Sequence, residues 1–291
     1  MRAFHAVATE GSFTKAARLL GVSQPAITIQ VKALEDTYGA ILLHRTGQRV
    51  VLTDLGDDLL VITRRIFDLD QEAEELLSAA RELRGGHLRA GADGPYFVMG
   101  VLAAFIERYP GVRVTVAMGN SQSVLRDLVD YSTDVAVVAR IDDARRFHAA
   151  PYIRQSVVVF VPTTHEWGKR RGIRLAELEG QPMILREQGS CTRQILEDAL
   201  AKARITPRVV MEIGSREALR EAVAAGLGIG VVEAAELGTD DRLTTLGITD
   251  VKLEATEYVV CLKERRSLRT VEAFFNLAGA EKASREAKAA H

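Results

Sequence analysis

Three polar residues, Gln24, Thr28 and Lys32, recur every fourth position and therefore share one face of a helix. Their chemistry suits recognition of nucleic acid. A glutamine amide can make two hydrogen bonds to adenine, threonine can contact a base or the thymine methyl, and lysine suits phosphate. The opposite face is apolar, with residues spaced four and three: Ile27, Val31 and Leu34. The spacing predicts a helix that is buried on one side and exposed to DNA on the other.

Helix-capping residues predict where this helix and the one before it begin and end. Ser12 can accept a hydrogen bond at the start of a helix over residues 13–20, and Gly21 can end that helix with a positive φ angle. Ser23 can cap the next helix, and Pro25 fits its first turn. Two short helices joined by a tight turn form a helix-turn-helix. One alternative is an ordinary helical hairpin with solvated polar residues, and another is a protein that uses the helix-turn-helix only for association.

A glycine between two strand-like stretches predicts a hairpin, or wing, after the helix pair. Arg45 and Arg49 flank its tip and could reach phosphate or the minor groove. Residues 1–53 contain six Lys or Arg against three Asp or Glu, whereas the whole chain has a net charge of −1. The basic surplus has the sign and position that phosphate contact requires.

Residues 4–56 as a set resemble the LysR-type transcriptional regulators. The segments that carry the resemblance are Phe4 to Ala8, Gly11 to Thr14, Ala16-Ala17, Leu20, Val22 to Ala26, Leu34-Glu35, Gly39, Arg45 and Leu52 to Gly56. The sequence departs from the family at Ile29, where a basic or polar residue is usual, and at Leu43, where Phe is usual. The first helix is also expected to be about a turn short. The DNA-contacting residues expected from pattern and resemblance are Ser23, Gln24, Pro25, Thr28, Lys32, Arg45 and Arg49.

A heptad pattern follows the head. Apolar residues recur at spacings of four and three over about four heptads: Leu55, Leu59, Ile62, Ile66, Leu69, Ala73, Leu76, Ala80 and Leu83. At ~1.5 Å per residue, such a helix would be roughly 40 Å long. The seam favours pairing with a second chain over a single amphipathic helix lying on its own domain. Gly85-Gly86 is expected to end the helix in a hinge.

From His87 onward, strand and helix patterns alternate, which predicts an α/β domain with a mostly parallel sheet. The expected strands are 88–92, 112–118, 134–139, 157–161, 228–232 and 258–262. The expected helices are 97–109, 121–131, 194–204, 215–225 and 268–278. Two lobes joined by crossing strands would place a ligand in the cleft between them. The resemblance implies the same arrangement, that of a periplasmic-binding-protein-like effector domain.

Four strand-to-helix junctions are candidate effector contacts. Helix N-termini offer free N–H groups and partial positive charge, so with nearby arginines they suit a carboxylate, phosphate or phosphonate. The candidate residues are Asp93, Gly94, Pro95, Tyr96, Asn120, Ser121, Arg186, Gly189, Ser190, Thr192, Arg193, Ser215 and Arg216. Alternatively, the serines are plain helix caps and the arginines are solvated. Two segments, 189–193 and 213–218, also resemble a subgroup associated with phosphonate utilisation.

The composition and the absence of certain motifs argue against several classes of protein. With 291 residues and 26% charged side chains, the chain is expected to be a soluble multi-domain protein, and no signal peptide or spanning segment is recognisable. Cys191 and Cys261 are lone thiols, so a disulfide framework is unexpected, although a redox role for Cys191 stays open. The six histidines are scattered and no metal-ligand spacing is present. An enzyme using the cleft is the rival class, but no nucleophile elbow, P-loop or catalytic set supports it.

The sequence therefore predicts a cytoplasmic regulator, not an enzyme, without a cofactor other than a small anionic effector. Its expected partners are double-stranded promoter DNA, a second copy through the linker helix, further copies in a homotetramer as the family implies, and RNA polymerase. The expected parts are a winged helix-turn-helix at 1–56, a linker and hinge at 57–86, an effector domain at 87–280 and a polar tail at 281–291. Within the effector domain, lobe one is expected at about 87–155 and 263–280, and lobe two at about 156–262.

Overall fold

The computed structural model describes residues 1–46, 49–77, 85–141 and 143–289. The chain divides into two compact units. The first comprises residues 1–82 with 130–132, and the second comprises 83–129 and 133–291. We refer to them as the head and the sensor and describe each by itself.

The head is a three-helix cluster followed by a two-stranded wing and a long helix. Its elements are α1 (Arg2–Glu10), α2 (Phe13–Leu19), α3 (Gln24–Tyr38), β1 (Leu43–Thr46), β2 (Arg49–Leu52) and α4 (Asp54–Leu77). The predicted caps are confirmed: Ser12 Oγ accepts from Lys15 N, and Ser23 Oγ accepts from Ala26 N, both at 3.4 Å. Gly21 lies between the two helices with a φ of 65°.

Hydrogen bonds and close packing hold the wing against α3 and α4. Glu35 Oε1 on α3 accepts from Leu42 N at 2.8 Å and so holds the start of the wing. Thr53 Oγ1 accepts from Gly56 N at 3.0 Å in the first turn of α4. A Cβ at Gly56 would lie 2.2 Å from Leu42 O, so only glycine lets the helix pass the wing at this point. The apolar face of α3, Ile27 and Val31, is buried in the head core as predicted.

Helix α4 has two different apolar stripes. Leu60 is buried in the head core, and Phe67 packs on His5 with ring centroids 4.8 Å apart. The seam positions Leu55, Ile62, Ile66 and Leu69 are about half exposed or more, at 51%, 52%, 46% and 64%. The heptad positions Ala80 and Leu83 lie outside the described residues. The seam position Leu59 packs against the head core, but these four positions leave a partly exposed apolar stripe on α4.

Lobe one of the sensor is a parallel three-stranded layer with helices packed on it. Its elements are β3 (His87–Ala92), α5 (Pro95–Arg108), β4 (Arg113–Met118), α6 (Ser121–Val129) and β5 (Val135–Val138). Strand β3 pairs in parallel with both β4 and β5. The core joins α5 to the helix α10 (Arg269–Ala289), with Phe97, Phe105 and Phe274 almost fully buried.

Lobe two has its own core and its own parallel pair of strands. Its elements are β7 (Gly172–Ile173), β8 (Pro182–Arg186), α7 (Cys191–Ala203), β9 (Arg208–Ile213), α8 (Arg216–Ala224), β10 (Gly230–Glu233), α9 (Ala234–Leu237) and β11 (Leu243–Ile248). Strands β8 and β9 are parallel. One apolar cluster surrounds Val159, Leu178 and Leu196, and a second surrounds Phe160 and Val223.

Two long antiparallel strands connect the lobes. Strand β6 (Phe147–Pro162) pairs with β12 (Glu254–Leu262) along most of the length of β12. Strand β12 also pairs antiparallel with β5, and β6 pairs antiparallel with β10 and β11. The expectation of a mostly parallel sheet is therefore wrong for the connecting layer, because strands that run from one lobe to the other and back must oppose each other in direction.

The chain returns to lobe one within β12, where Val259 and Cys261 lie in the lobe-one core. Helix α10 continues to Ala289, so most of the expected polar tail is helical. Among the described residues, none of the helices combines the length and apolar character that crossing a membrane requires.

Candidate effector cleft and DNA-contacting face

The exposed face of α3 has the polar residues that the sequence predicts. Gln24 and Lys32 are exposed, and Thr28 is half buried with its hydroxyl donating to Gln24 O at 3.1 Å. Ser23 and Pro25 form the start of this helix and shape its N-terminal turn. Ile29 is 67% exposed beside them, so an apolar side chain lies where the family usually has a polar one. Such a face can contact base edges, phosphates and thymine methyl groups.

Arg45 and Arg49 lie in β1 and β2, where Arg45 pairs with Val50 and Arg49 with Thr46. The tip between them, Gly47 and Gln48, is outside the described residues. Their expected contact with DNA stays a prediction.

The cleft between the two lobes of the sensor collects many of the expected effector residues. Seven of them line it: Pro95, Tyr96, Asn120, Arg186, Thr192, Ser215 and Arg216. They come from the N-terminal ends of α5, α7 and α8, from the residues before α6, and from the end of β8. They line two adjacent pockets that share Pro95, Arg186 and Arg216, so both guanidinium groups border each pocket, which is an environment that favours an anion.

Arg186 and Glu187 form an ion pair at the edge of this cleft. Arg186 Nε donates to Glu187 Oε2 and Nη2 donates to Oε1, both at 2.8 Å, and Arg186 is only 6% exposed. Glu187 Oε1 also accepts from Asn120 Nδ2 of lobe one at 3.1 Å. Burial acts to raise the pKa of Glu187, but the hydrogen bonds and charge of Arg186 hold that pKa below its ordinary value.

Arg216 and Glu236 form a second ion pair, with Arg216 Nε donating to Glu236 Oε2 at 2.8 Å. Glu236 is buried, and a Cβ placed on Gly94, which precedes α5, would lie 2.5 Å from its other oxygen. Gly94 thus allows the start of α5 to approach a carboxylate of lobe two closely. Burial raises the pKa of Glu236 despite the neighbouring guanidinium of Arg216.

Asp93 and Ser121 lie beneath the cleft and are buried. Ser121 Oγ donates to Asp93 Oδ2, which also accepts from Ala139 N at 2.9 Å. Burial raises the pKa of the Asp93 carboxyl. These two residues support the end of β3 and the start of α6, and they do not line the cleft itself.

The start of α7 presents a hydroxyl and a tight turn to the cleft. Ser190 is buried at the N-cap and makes no capping hydrogen bond, and Thr192 lines the cleft. Gly189 has a φ of 88° and fits against Asn120 and Gln122 of lobe one. Burial raises the pKa of the adjacent Cys191 thiol far above its ordinary value, which disfavours the reactive thiolate.

Arg193 is not among the residues that line the two pockets of the cleft, and its expected contact with the effector stays a prediction. Its Nη1 donates to Arg186 O and Glu212 Oε2, and its Nε donates to Glu197 Oε1, all at 2.7 Å. It therefore holds the end of β8 against α7 and β9.

Ser215 does line the cleft, but its Oγ also caps α8 by accepting from Ala218 N at 3.2 Å.

Sequence reasoning missed the carboxylates that accompany the arginines, namely Glu187, Glu233, Glu236 and Glu257. One signal was available: Glu257 occupies an inward position of β12, between Ala255 and Val259, which are both buried. A glutamate in an apolar alternation indicates a buried charge that needs an explanation. No group of His, Cys, Asp and Glu within the described ranges has the arrangement of a metal site.

Comparison with known proteins identifies the family. Residues 1–57 match the family of bacterial regulatory helix-turn-helix proteins of the lysR family, and residues 81–283 match the LysR substrate binding domain. The chain belongs to the LysR-type transcriptional regulators, in which a helix-turn-helix binds DNA and a second domain binds an effector. This is a family of regulators and not of enzymes.

Three relatives show how similar the chain is to individual regulators. The chain is 30% identical to the HTH-type transcriptional activator CmpR of Synechocystis sp., over 90% of this chain and 88% of that protein. It is 32% identical to the RuBisCO operon transcriptional regulator of Allochromatium vinosum, over 91% and 90%. The regulatory domain of Synechocystis PCC6803 CcmR in complex with 2-PG has 26% identity and a TM-score of 0.63, over 68% of this chain and 97% of that one. These relatives do not support the likeness to a phosphonate-utilisation subgroup.

Proposed function

We propose that the effector of this regulator is a small organic anion with a phosphate or carboxylate group, bound in the cleft between Arg186 and Arg216. The observation that carries the proposal is the presence of both guanidinium groups in a cleft bordered by the N-termini of α5 and α8. A two-carbon anion such as 2-phosphoglycolate, the ligand of the CcmR complex, has a phosphate and a carboxylate to match two cationic positions.

Both arginines already have carboxylate partners, so the effector must compete with part of the protein. Glu187 occupies both donors of the Arg186 fork in the present arrangement. An incoming anion that takes this fork would release Glu187 and, with it, the hydrogen bond from Asn120 of lobe one. Effector binding would thereby change the contacts between the lobes, which is the differential interaction that a ligand-driven conformational change requires.

The DNA-reading assignment rests on the exposed face of α3. Gln24 and Thr28 contact bases, Ser23 and Pro25 set the position of the helix end, and Lys32, Arg45 and Arg49 contact the backbone. The exposed seam of α4 supports pairing with a second copy, because heptad stripes of this kind bury their apolar residues in a coiled coil. Dimers assemble further into homotetramers, and movement of the sensor lobes alters head spacing, DNA bending and access of RNA polymerase, in the cytoplasm.

A binding experiment tests the effector assignment. Calorimetry with the full chain would compare 2-phosphoglycolate with glycolate, inorganic phosphate and 2-aminoethylphosphonate. An anion present at 100 times its dissociation constant should stabilise the sensor by ~2.7 kcal/mol. Thr192→Val and Arg186→Lys should weaken the selected anion tenfold or more, because the first removes a buried hydroxyl and the second removes the planar fork.

The matched control is Arg208→Gln, since Arg208 is exposed at the start of β9, the opposite end of that strand from the cleft. Equal affinities in this control and in the two cleft variants would contradict the assignment of the site. Absence of binding by all four compounds would contradict the anionic class.

A further inference from the structure

Four carboxyl groups are buried together where the connecting strands pass beneath the cleft. Asp93 follows β3 of lobe one, Glu233 ends β10, Glu236 lies in α9 and Glu257 lies in β12. All four are at most 8% exposed. We call these four residues the acid cluster. A buried carboxylate is strongly disfavoured unless a cation, a hydrogen-bond donor or a proton compensates it.

Several carboxyl oxygens of the acid cluster accept no hydrogen bond from the described part of the chain. Asp93 Oδ1, Glu233 Oε2, Glu236 Oε1 and both oxygens of Glu257 are buried without a hydrogen-bond partner among the residues that the structure describes. Glu257 is 1% exposed and faces the carboxyl of Glu233. Two carboxylates that face each other without a donor between them repel, whereas one added proton turns the pair into a donor and an acceptor.

The cations around the acid cluster do not compensate the charge of all its carboxylates. The charged and titratable groups around the acid cluster are Arg216 from α8, Arg186 from β8, Cys191 from α7 and Arg140 after β5. Arg216 is hydrogen-bonded to Glu236 and Arg186 to Glu187. Burial, followed by the neighbouring carboxylates, raises the pKa of Glu233 to about 8 and raises that of Glu257 well above its ordinary value.

We propose that Glu233 and Glu257 hold a proton between them at neutral pH, and that loss of this proton destabilises the sensor. Ionisation would add negative charge on β10 of lobe two and on β12, next to Asp93 of lobe one. The repulsion would act across the base of the cleft. The sensor would thus respond to pH as well as to its effector.

Infrared spectroscopy on the full chain without effector tests the proton directly. The difference spectrum between pH 7 and pH 9.5 should show loss of the carbonyl stretch of a protonated carboxylic acid. Glu257→Gln and Glu233→Gln should each abolish or shift this band, and Glu272→Gln, an exposed residue on α10, should retain it. A wild-type spectrum without the band, or a band unchanged in both cluster variants, would overturn the proposal.

Thermal unfolding provides a second readout that a purely structural role would not produce. A carboxyl with a raised pKa in the folded state binds more protons there than in the unfolded chain, so stability falls as pH rises from about 4.5 towards the folded-state value. The melting temperature of the wild-type sensor should therefore fall between pH 5.5 and pH 8.5. The decline should be smaller in Glu257→Gln and Glu233→Gln than in Glu272→Gln. Parallel profiles in all four proteins would refute the proposal, whatever the outcome of the anion-binding experiment.

Discussion

Asn120 and Glu187 lie on opposite lobes of the sensor and are joined by a hydrogen bond of 3.1 Å from Nδ2 to Oε1. Asn120 Nδ2 also donates to Gln188 O at 3.3 Å, and Asn120 Oδ1 accepts from Ser123 N at 2.9 Å. One amide thus connects the start of α6 with the residues that follow β8. Because Glu187 Oε1 also accepts from Arg186, a single oxygen joins the amide of lobe one to the cleft arginine.

Gly189→Ala should disturb this contact between the lobes. The residue has a positive φ, and an added Cβ would lie 2.8 Å from Gln122 Oε1 and 3.1 Å from Asn120 Oδ1. We expect a loss of about 1–2 kcal/mol from the backbone conformation alone. Calorimetric unfolding of the sensor would measure it. Gly214→Ala is the control, because that glycine borders the same cleft with open space at its Cβ position and φ outside the left-handed range. Equal stability of the two variants would contradict the close approach of the lobes.

Asp134→Ala should destabilise lobe one strongly. Asp134 Oδ1 accepts from Arg89 Nη2 at 2.6 Å and forms an ion pair with Arg265 Nη2 at 2.7 Å, and Asp134 is nearly fully buried. Removing one member of a buried ionic group typically costs 3–5 kcal/mol, roughly, because the remaining charges lose their compensation. Chemical denaturation would detect this. Glu254→Gln, which breaks the more exposed pair with Lys252, should cost about 1 kcal/mol or less.

Gln24→Ala and Lys32→Ala should affect DNA binding differently. The glutamine variant should lose roughly 1–3 kcal/mol of discrimination at one base position, whereas the lysine variant should weaken binding to all sequences and reduce the salt slope by about 1. Fluorescence anisotropy with a duplex selected from a random pool, measured at several salt concentrations, separates these effects. Unchanged discrimination in Gln24→Ala would show that the reading face is misassigned.

Ile62→Glu should prevent pairing through α4. Ile62 is half exposed on the seam, so the monomer tolerates a charge there, but a coiled coil would have to bury it. Sedimentation velocity should show smaller species than for the wild type. Ile62→Leu preserves the apolar seam and should assemble as the wild type does. If Ile62→Glu kept the wild-type assembly, α4 would not be the pairing helix.

Both cysteines should resist thiol reagents in the folded protein. Cys191 and Cys261 are buried, and burial raises the pKa of Cys261 to about 12 and that of Cys191 still further. Since the thiolate is the reactive form, labelling at pH 7.5 should require unfolding. Measuring labelling against denaturant concentration tests this, and rapid labelling of Cys191 in the native protein would reopen its redox role.

The head could be predicted in detail because its signals are local. Ser12, Gly21 and Ser23 each determine a helix end within a few residues, and α2 and α3 begin where these residues place them. Strand β6 shows the opposite case. Only residues 157–161 were expected as strand, yet β6 begins at Phe147, because the mixed polar segment 147–156 is extended by pairing with β12 about a hundred residues later.

The sequence predicted where the cleft lies, but it did not predict which carboxylates pair with the arginines around it. Junctions before α5, α7 and α8 could be recognised from strand and helix patterns, and they do border the cleft. The pairing of Arg216 with Glu236, twenty residues away, and the ties of Arg193 to Glu197 and Glu212 depend on the three-dimensional arrangement. Local sequence therefore identified which arginines are near the cleft, but not which of them remain directed into it.

Strand β12 lies between β5 and β6 in the sheet, and α10 covers the lobe-one core behind it. Both elements come from the last forty residues of the chain. During synthesis, β3, α5 and β4 therefore emerge from the ribosome long before the strand and the helix that complete their lobe. The last strand and helix of lobe one are therefore synthesised only after all the elements of lobe two, so lobe one cannot complete its core before lobe two has emerged.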